Sequence, residues 1–281
     1  MRQVMFFHYI LNENMENRKK FALITGATSG IGLELAKLFA RDQSNLILVA
    51  RDEQNLNATA EMLRAEGVEV VTISTDLFIA GNAQEVYHQV SALALQVEVL
   101  VNDAGQGVYG KFTDNELERE LDIIQLNISS LVTLTKLFLK DMVSRGSGRI
   151  LNVASVAGKA PGPYQAVYHG TKAFVHSFNE AIRNELKDTG VSVTSLLPGA
   201  TDTDFFNKAD MLESKIVQQG DLADPAVVAK DGYEALLAGK DMVVSGFKNK
   251  VQVALGNVTP DSMQAAQMEK VQEPADNKKK P

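Results

Sequence analysis

The feature that most limits what this chain can fold into is a regular alternation of short apolar runs with longer amphipathic stretches, sustained from residue 21 to residue 244. The apolar runs are 21–25, 46–50, 68–73, 97–101, 149–153, 191–197 and 242–244. Between them, 33–41, 52–66, 83–95, 114–144, 165–187 and 225–237 carry apolar residues at helical spacing, with 114–144 predicted to break near Asn127. Runs this short and this apolar suit strands buried on both faces, and strands separated by helices must pair in parallel through crossovers. The prediction is an α/β fold in a single domain: a doubly wound parallel sheet of about seven strands with helices on both faces.

No repeat or internal linker interrupts the pattern, so the domain is placed at 20–246, with 1–19 as an N-terminal extension and 247–281 as a C-terminal segment. The apolar run at 4–11 is far shorter than the ~20 residues that span a bilayer, so no membrane span is expected there. It is followed by no small-residue cleavage site, and Met15 is read as the working start. In the C-terminal segment, 248–255 is expected to pack as a strand or helix end, and 272–281, which lacks large apolar side chains, to be disordered.

Gly26, Gly30 and Gly32 stand between the first predicted strand and the first helix. Glycines there let backbone N–H groups approach a pyrophosphate at the positive end of a helix, which makes the arrangement Rossmann-like. The end of the second strand is where such folds read the ribose 2′ position. It carries no acid at Ala50 and a guanidinium at Arg51, which matches a 2′-phosphate, so NADP(H) is expected over NAD(H). A solvated arginine beside Asp52 is the alternative. Asp76, just past the third strand, can accept from an adenine amino group or serve as a turn former.

Tyr168 and Lys172 lie four residues apart in a predicted helix, so both side chains can serve one site. A nearby cation lowers the pKa of a phenol and makes it a proton-transfer group, although the same spacing occurs in solvated surface pairs. The chain has no cysteine, which removes disulfides and thiolate chemistry and suits a reducing, cytoplasmic setting while remaining compatible with export. The net charge of −7 argues against nucleic acid as a partner. His8, His88, His169 and His176 lack a metal-ligand spacing.

Taken together these stretches resemble the short-chain dehydrogenase/reductase family. Residues 25–32, including Thr28, Ser29 and Ile31 among the glycines, look like its cofactor loop. Asn102-Asp103-Ala104-Gly105 looks like its motif after strand four, and Pro198-Gly199 with Thr203 like its segment after strand six. Asn127, Ser155, Tyr168 and Lys172 match its catalytic four. The resemblance covers 20–246; its one departure is Asp103, where the family more often has a second Asn, expected to alter local hydrogen bonding more than chemistry.

The resemblance implies hydride transfer between a nicotinamide and a carbonyl or secondary alcohol. Tyr168 would act as general acid/base and Ser155 would bind the reacting oxygen. Lys172 would grip the ribose and lower the Tyr168 pKa, and Asn127 would place a water that relays protons. Tyr164, with no lysine four residues on, is read as a pocket wall or a surface aromatic. The substrate is expected between 160–164, 106–109 and 201–220, where Phe205, Phe206, Met211, Leu212 and Ile216 suggest a partly apolar lid. The apolar helices 127–143 and 173–186 suit pairing in a homodimer or homotetramer. A noncatalytic NADP-binding redox sensor on the same fold is the rival function, and the intact Ser155, Tyr168 and Lys172 argue against it.

Overall fold

Seven parallel strands make one sheet in the order β3-β2-β1-β4-β5-β6-β7, in a computed structural model that describes residues 20–275. The expectations for 1–19 and 276–281 lie outside the described residues. The chain runs β1 (Lys20–Thr25), α1 (Gly30–Arg41), β2 (Asn45–Ala50), α2 (Glu53–Arg64), β3 (Val70–Ser74), α3 (Asn82–Ala92) and β4 (Gln96–Asn102). Next come α4 (Leu117–Ile124), a π-helical turn (Gln125–Ser130), α5 (Leu131–Arg145), β5 (Gly148–Val153), a 3-10 turn (Val156–Lys159), α6 (Ala166–Glu185) and β6 (Val191–Leu197). Two short helices, α7 (Phe205–Lys208) and α8 (Lys215–Gln218), lead to α9 (Pro225–Leu237), β7 (Met242–Val244), α10 (Phe247–Gly256) and α11 (Asp261–Gln272).

The strands are apolar on both faces because each face is covered. Ala22, Ile24, Leu46 and Leu48 pack with Leu35, Phe39, Leu56, Leu63, Val228 and Leu236 of α1, α2 and α9. Their neighbours Phe21, Leu23, Ile47 and Val49 point the other way, to Val86 and Val90 of α3 and Leu134, Phe138 and Met142 of α5. The period of two fails once, in β4, where the pairing with β1 slips between Phe21 and Ala22 and leaves Glu98 extra. Val97 and Leu100 therefore share a face, and Val99 and Val101 share the other.

Local chemistry sets the ends of the helices. The Asp52 carboxylate accepts from Asn55 N at the head of α2, and Asp224 caps α9 ahead of Pro225. Gly146, at φ +73°, closes α5. The predicted break in the long helix is the π turn around Asn127. Among the described residues, Leu117–Arg145 is the run long and apolar enough to cross a membrane, and its Ile123, Leu134, Phe138 and Met142 are buried in the fold.

The C-terminal segment meets its expectation in part. Residues 248–255, expected as a strand or helix end, lie within helix α10, and a further helix not expected from the sequence, α11, follows. Gln272 to Ala275 are ordered: Ala275 N donates to Glu213 O, Lys215 N donates to Glu273 O, and Lys215 Nζ lies 2.5 Å from Glu273. Backbone pairing and a salt bridge to the lid fix a stretch whose own composition offers no apolar anchor.

A buried chain of amides braces the sheet. Asn102 Nδ2 donates to Asn152 Oδ1 (2.8 Å) and to Thr135 Oγ1 (3.0 Å). Asn152 Nδ2 donates to Asn179 Oδ1 (2.6 Å), and Asn179 Nδ2 to Ser195 Oγ (2.7 Å), linking β4, β5, α6 and β6. Asn152→Leu strips a donor and an acceptor from buried partners. Urea unfolding should show a loss of about 2–4 kcal/mol at unchanged denaturant slope.

Candidate active site

Strand order reverses between β1 and β4, and the crevice beyond their carboxyl ends is where a ligand fits an open parallel sheet. A cavity of about 1390 Å³ lies there, larger than the ~300–1,000 Å³ of a pocket for one small ligand. One end is walled by Gly26, Thr28, Ser29, Gly30, Ile31, Arg51 and Asp76, the middle by Asp103, Ala104 and Gly105, and the other end by Ser155, Tyr168 and Lys172.

The glycine turn is shaped as a cradle. Gly26 (φ +71°) and Gly30 (φ +55°) occupy the left-handed region that favours glycine, and a Cβ on Gly32 would lie 2.5 Å from the Gly26 carbonyl. A Cβ on Gly30 would meet Thr203 at 2.8 Å, so the segment after β6 closes directly over the turn. Ser29 precedes α1 with its hydroxyl free of any capping bond, at the positive end of that helix. Thr25 Oγ1 accepts from both Asp103 N and Ala104 N at 3.1 Å, tying the loop after β4 to the end of β1. This cradle suits a dinucleotide pyrophosphate.

Arg51 is half exposed, with Nη1 3.7 Å from Asp76 Oδ2 and its guanidinium 5.2 Å from the Phe78 ring centroid. Asp76 is first a turn former, because Oδ1 accepts from Phe78 N at 3.0 Å. Phe78, with Asn55 and Leu77, lines this end of the cavity and carried no signal in the sequence beyond its place after a strand.

Tyr168 and Lys172 share one face of α6, with Lys172 Nζ 5.9 Å from the Tyr168 ring centroid. Lys172 Nζ donates to Val153 O at 2.7 Å. Burial pulls the Lys172 pKa down to about 8, against the pull of Asp103. Burial pushes the Tyr168 phenol up to about 12; the Ser155 hydroxyl, hydrogen-bonded to it, works the other way, and Asp103 adds to the rise. The expected lowering of the Tyr168 pKa is therefore not met in this structure. Desolvation of a phenolate outweighs an ammonium whose hydrogen bond is directed at Val153. Ser155 Oγ also accepts from Ala157 N at 3.1 Å, so it caps the 3-10 turn as well as facing Tyr168.

Three of the expected site residues do not line the cavity. Asn102 turns into the amide chain under the sheet. Gly32 sits behind the turn against Asp103. Asn127 sits behind Gly105, where Oδ1 accepts from Gln106 N (3.0 Å) and Nδ2 donates to Gln106 O (2.8 Å) and Thr171 Oγ1 (3.0 Å). Its amide joins the loop after β4 to α6. Pro198, Gly199 and Thr203 do line the cavity, and Pro198 O accepts from Val156 N at 2.9 Å.

Phe205, Phe206, Met211 and Ile216 form the apolar lid, while Leu212 points outward, 48% exposed. Tyr164 is not a pocket wall; at φ +67° it stacks on Tyr109 with centroids 5.7 Å apart. The lid is completed by α10 and α11, through Phe247, Val251, Leu255, Met268, Val271 and Gln272. His169 Nδ1 lies 2.7 Å from Ala160 O and can only donate to it, which leaves Nε2 as an acceptor. Gln272 Nε2 donates to that atom at 2.9 Å, and Tyr109 OH donates to Gln272 O at 2.6 Å. The end of the C-terminal helix is thus latched to the residue next to Tyr168.

The family model described as short chain dehydrogenase matches residues 20–213, and the chain belongs to that family. An uncharacterized oxidoreductase of Staphylococcus epidermidis is 34% identical over 212 residues, 75% of this chain and 91% of that protein. The ketoacyl reductase HetN of Nostoc sp. is 30% identical over 241 residues, 86% of this chain and 79% of that protein. Among solved structures, a short-chain dehydrogenase from Sphingobium yanoikuyae in complex with NADPH superposes with a TM-score of 0.76 at 28% identity, over 88% of this chain and 99% of that one. The chain is an oxidoreductase of this family, and α8, α9, β7, α10 and α11 lie beyond the matched region.

Gln272→Leu leaves His169 Nε2 without its donor. Hydrogen exchange should show the amides of α11 opening about fivefold more readily, for a loss of about 1 kcal/mol, with the sheet amides unchanged.

Proposed function

We propose that this protein is an NADP(H)-dependent dehydrogenase or reductase of a carbonyl or secondary alcohol, working through Tyr168, Ser155, Lys172 and Asn127. One observation carries the reading: Ser155, Tyr168 and Lys172 line the same cavity as the glycine cradle. The NADPH complex of the Sphingobium neighbour and the reductase name of the Nostoc relative support a nicotinamide cofactor and a carbonyl substrate.

A bound nicotinamide supplies the hydride. The protein's part is binding, orientation and proton transfer. Gly26, Thr28, Ser29, Gly30 and Ile31 hold the pyrophosphate, Arg51 the 2′-phosphate, and Ala104, Gly105, Pro198, Gly199 and Thr203 line the path to the nicotinamide end. A phenol with a pKa of about 12 keeps its proton at neutral pH, the state needed to donate to a developing alkoxide. Ser155 holds the same oxygen, and Lys172, with a pKa drawn down to about 8, exchanges protons near neutrality. Asn127 keeps the loop at Gln106 in register with α6. The lid favours a substrate with an apolar body, since Phe205, Phe206, Met211, Leu255, Met268 and Val271 face the cavity.

A cytoplasmic location and homo-oligomers are part of this reading, the oligomers supported by apolar surface on the two long helices. Val143 is 39% exposed and Phe174 40%, the latter stacked on Phe178. Gel filtration should give two or four times 30.6 kDa, and a single-chain mass overturns the pairing.

A panel of aldehydes and ketones followed by NADPH absorbance tests the chemistry. Tyr168→Phe should lower turnover by at least about 100-fold, and undiminished turnover overturns the role of the phenol. Arg51→Ala should cut the preference for NADPH over NADH by about tenfold or more, the worth of a charged hydrogen bond. Equal use of both cofactors by the unaltered protein overturns the role of Arg51.

A further inference from the structure

We propose that Asp103 is a positioning residue whose carboxyl group braces the cofactor turn and sets, by its own charge, how tightly the site holds a dinucleotide. The proposal rests on the nicotinamide-dinucleotide reading above.

The geometry is specific. Asp103 follows β4, lines the cavity, and has its backbone N–H held by Thr25 Oγ1. Its Oδ2 lies 2.5 Å from the place a Cβ on Gly32 would take, and 3.0 Å from that of Gly26. The carboxyl therefore fills the space that the glycines leave, and it accepts a hydrogen bond from Gly32 N. That N–H belongs to the turn whose backbone donors receive the pyrophosphate. A carboxylate here brings negative charge to an anion site.

The ionisable groups that act on Asp103 both come from α6: Lys172, whose ammonium favours the carboxylate, and Tyr168. From β1 and α1 it meets the Thr25 hydroxyl and glycine backbone. Burial pushes the Asp103 pKa up to about 7. Below that pH the carboxyl is neutral and does not oppose phosphate. Above it the carboxylate repels phosphate and competes for the positive charge of Lys172, so affinity falls as pH rises through neutrality.

The test is the dissociation constant of NADPH and of NADH for the full chain and for Asp103→Asn, from about pH 6 to pH 8. NADH is included because a 2′-phosphate itself titrates near pH 6. Asparagine keeps an acceptor for Gly32 N but cannot ionise. The ratio of the unaltered protein's constant to that of Asp103→Asn should climb by at least about threefold across this range, with both cofactors. A ratio that stays flat overturns the proposal and leaves the functional reading standing. Should Asp103→Asn fail to fold, an NADH constant of the unaltered protein that does not rise over the range overturns it alone. Absence of binding at every pH overturns the functional reading and this proposal with it.

Discussion

One hydroxyl holds the two halves of the site together. Thr25 Oγ1, at the last position of β1, accepts from the backbone N–H groups of Asp103 and Ala104, just past β4. Parallel strands on either side of a reversal send their connections to opposite faces, and the loops beyond them would otherwise diverge. The clamp sets the crevice. On one side it fixes where the glycine turn starts, and on the other it places Gly105 between the Asn127 amide and the Lys172 ammonium. The amide chain from Asn102 to Ser195 then carries the same alignment across to β6 and α6, which bears Tyr168.

Within that frame the electrostatics are governed by loss of water. Tyr168, Lys172 and Asp103 are all shifted chiefly by desolvation, and all toward the uncharged form. A site so biased keeps the phenol protonated and lets an ammonium and a carboxyl titrate close to neutrality. The Lys172 contact with Val153 fixes where its charge points. A phenol with an ammonium near it matches the spacing seen in the sequence. The direction of the Tyr168 shift does not, because spacing reports proximity and says nothing of solvent.

Much of the site was legible because backbone geometry leaves marks in residue type. Gly26 and Gly30 announce positive φ, Gly32 a close approach, and Tyr168 with Lys172 a shared helix face. Side-chain direction was not legible. Asn102 stands in a recognisable stretch yet turns beneath the sheet, since the last residue of β4 must point to one face and that face holds Thr135 and Asn152. Tyr164 was open between a pocket wall and a surface aromatic, and its left-handed backbone turned it onto Tyr109, away from the wall. The C-terminal helix was missed because its polar sequence shows no apolar stripe; its last turn is held by Gln272, Glu273 and Ala275 through partners far away in the chain.

By itself the sequence determined the layered α/β architecture, the alternation of strands and helices from β1 to β7 and the residue types able to bind a dinucleotide and move a proton. These follow from periodicity and backbone propensity, which act over a few residues at a time. Only the tertiary structure decided which of those residues face the cavity, how far burial moves Tyr168, Lys172 and Asp103, and what closes the substrate end. Those properties depend on solvent exclusion and on contacts such as Tyr109 with Gln272, 163 residues apart, which no local pattern encodes.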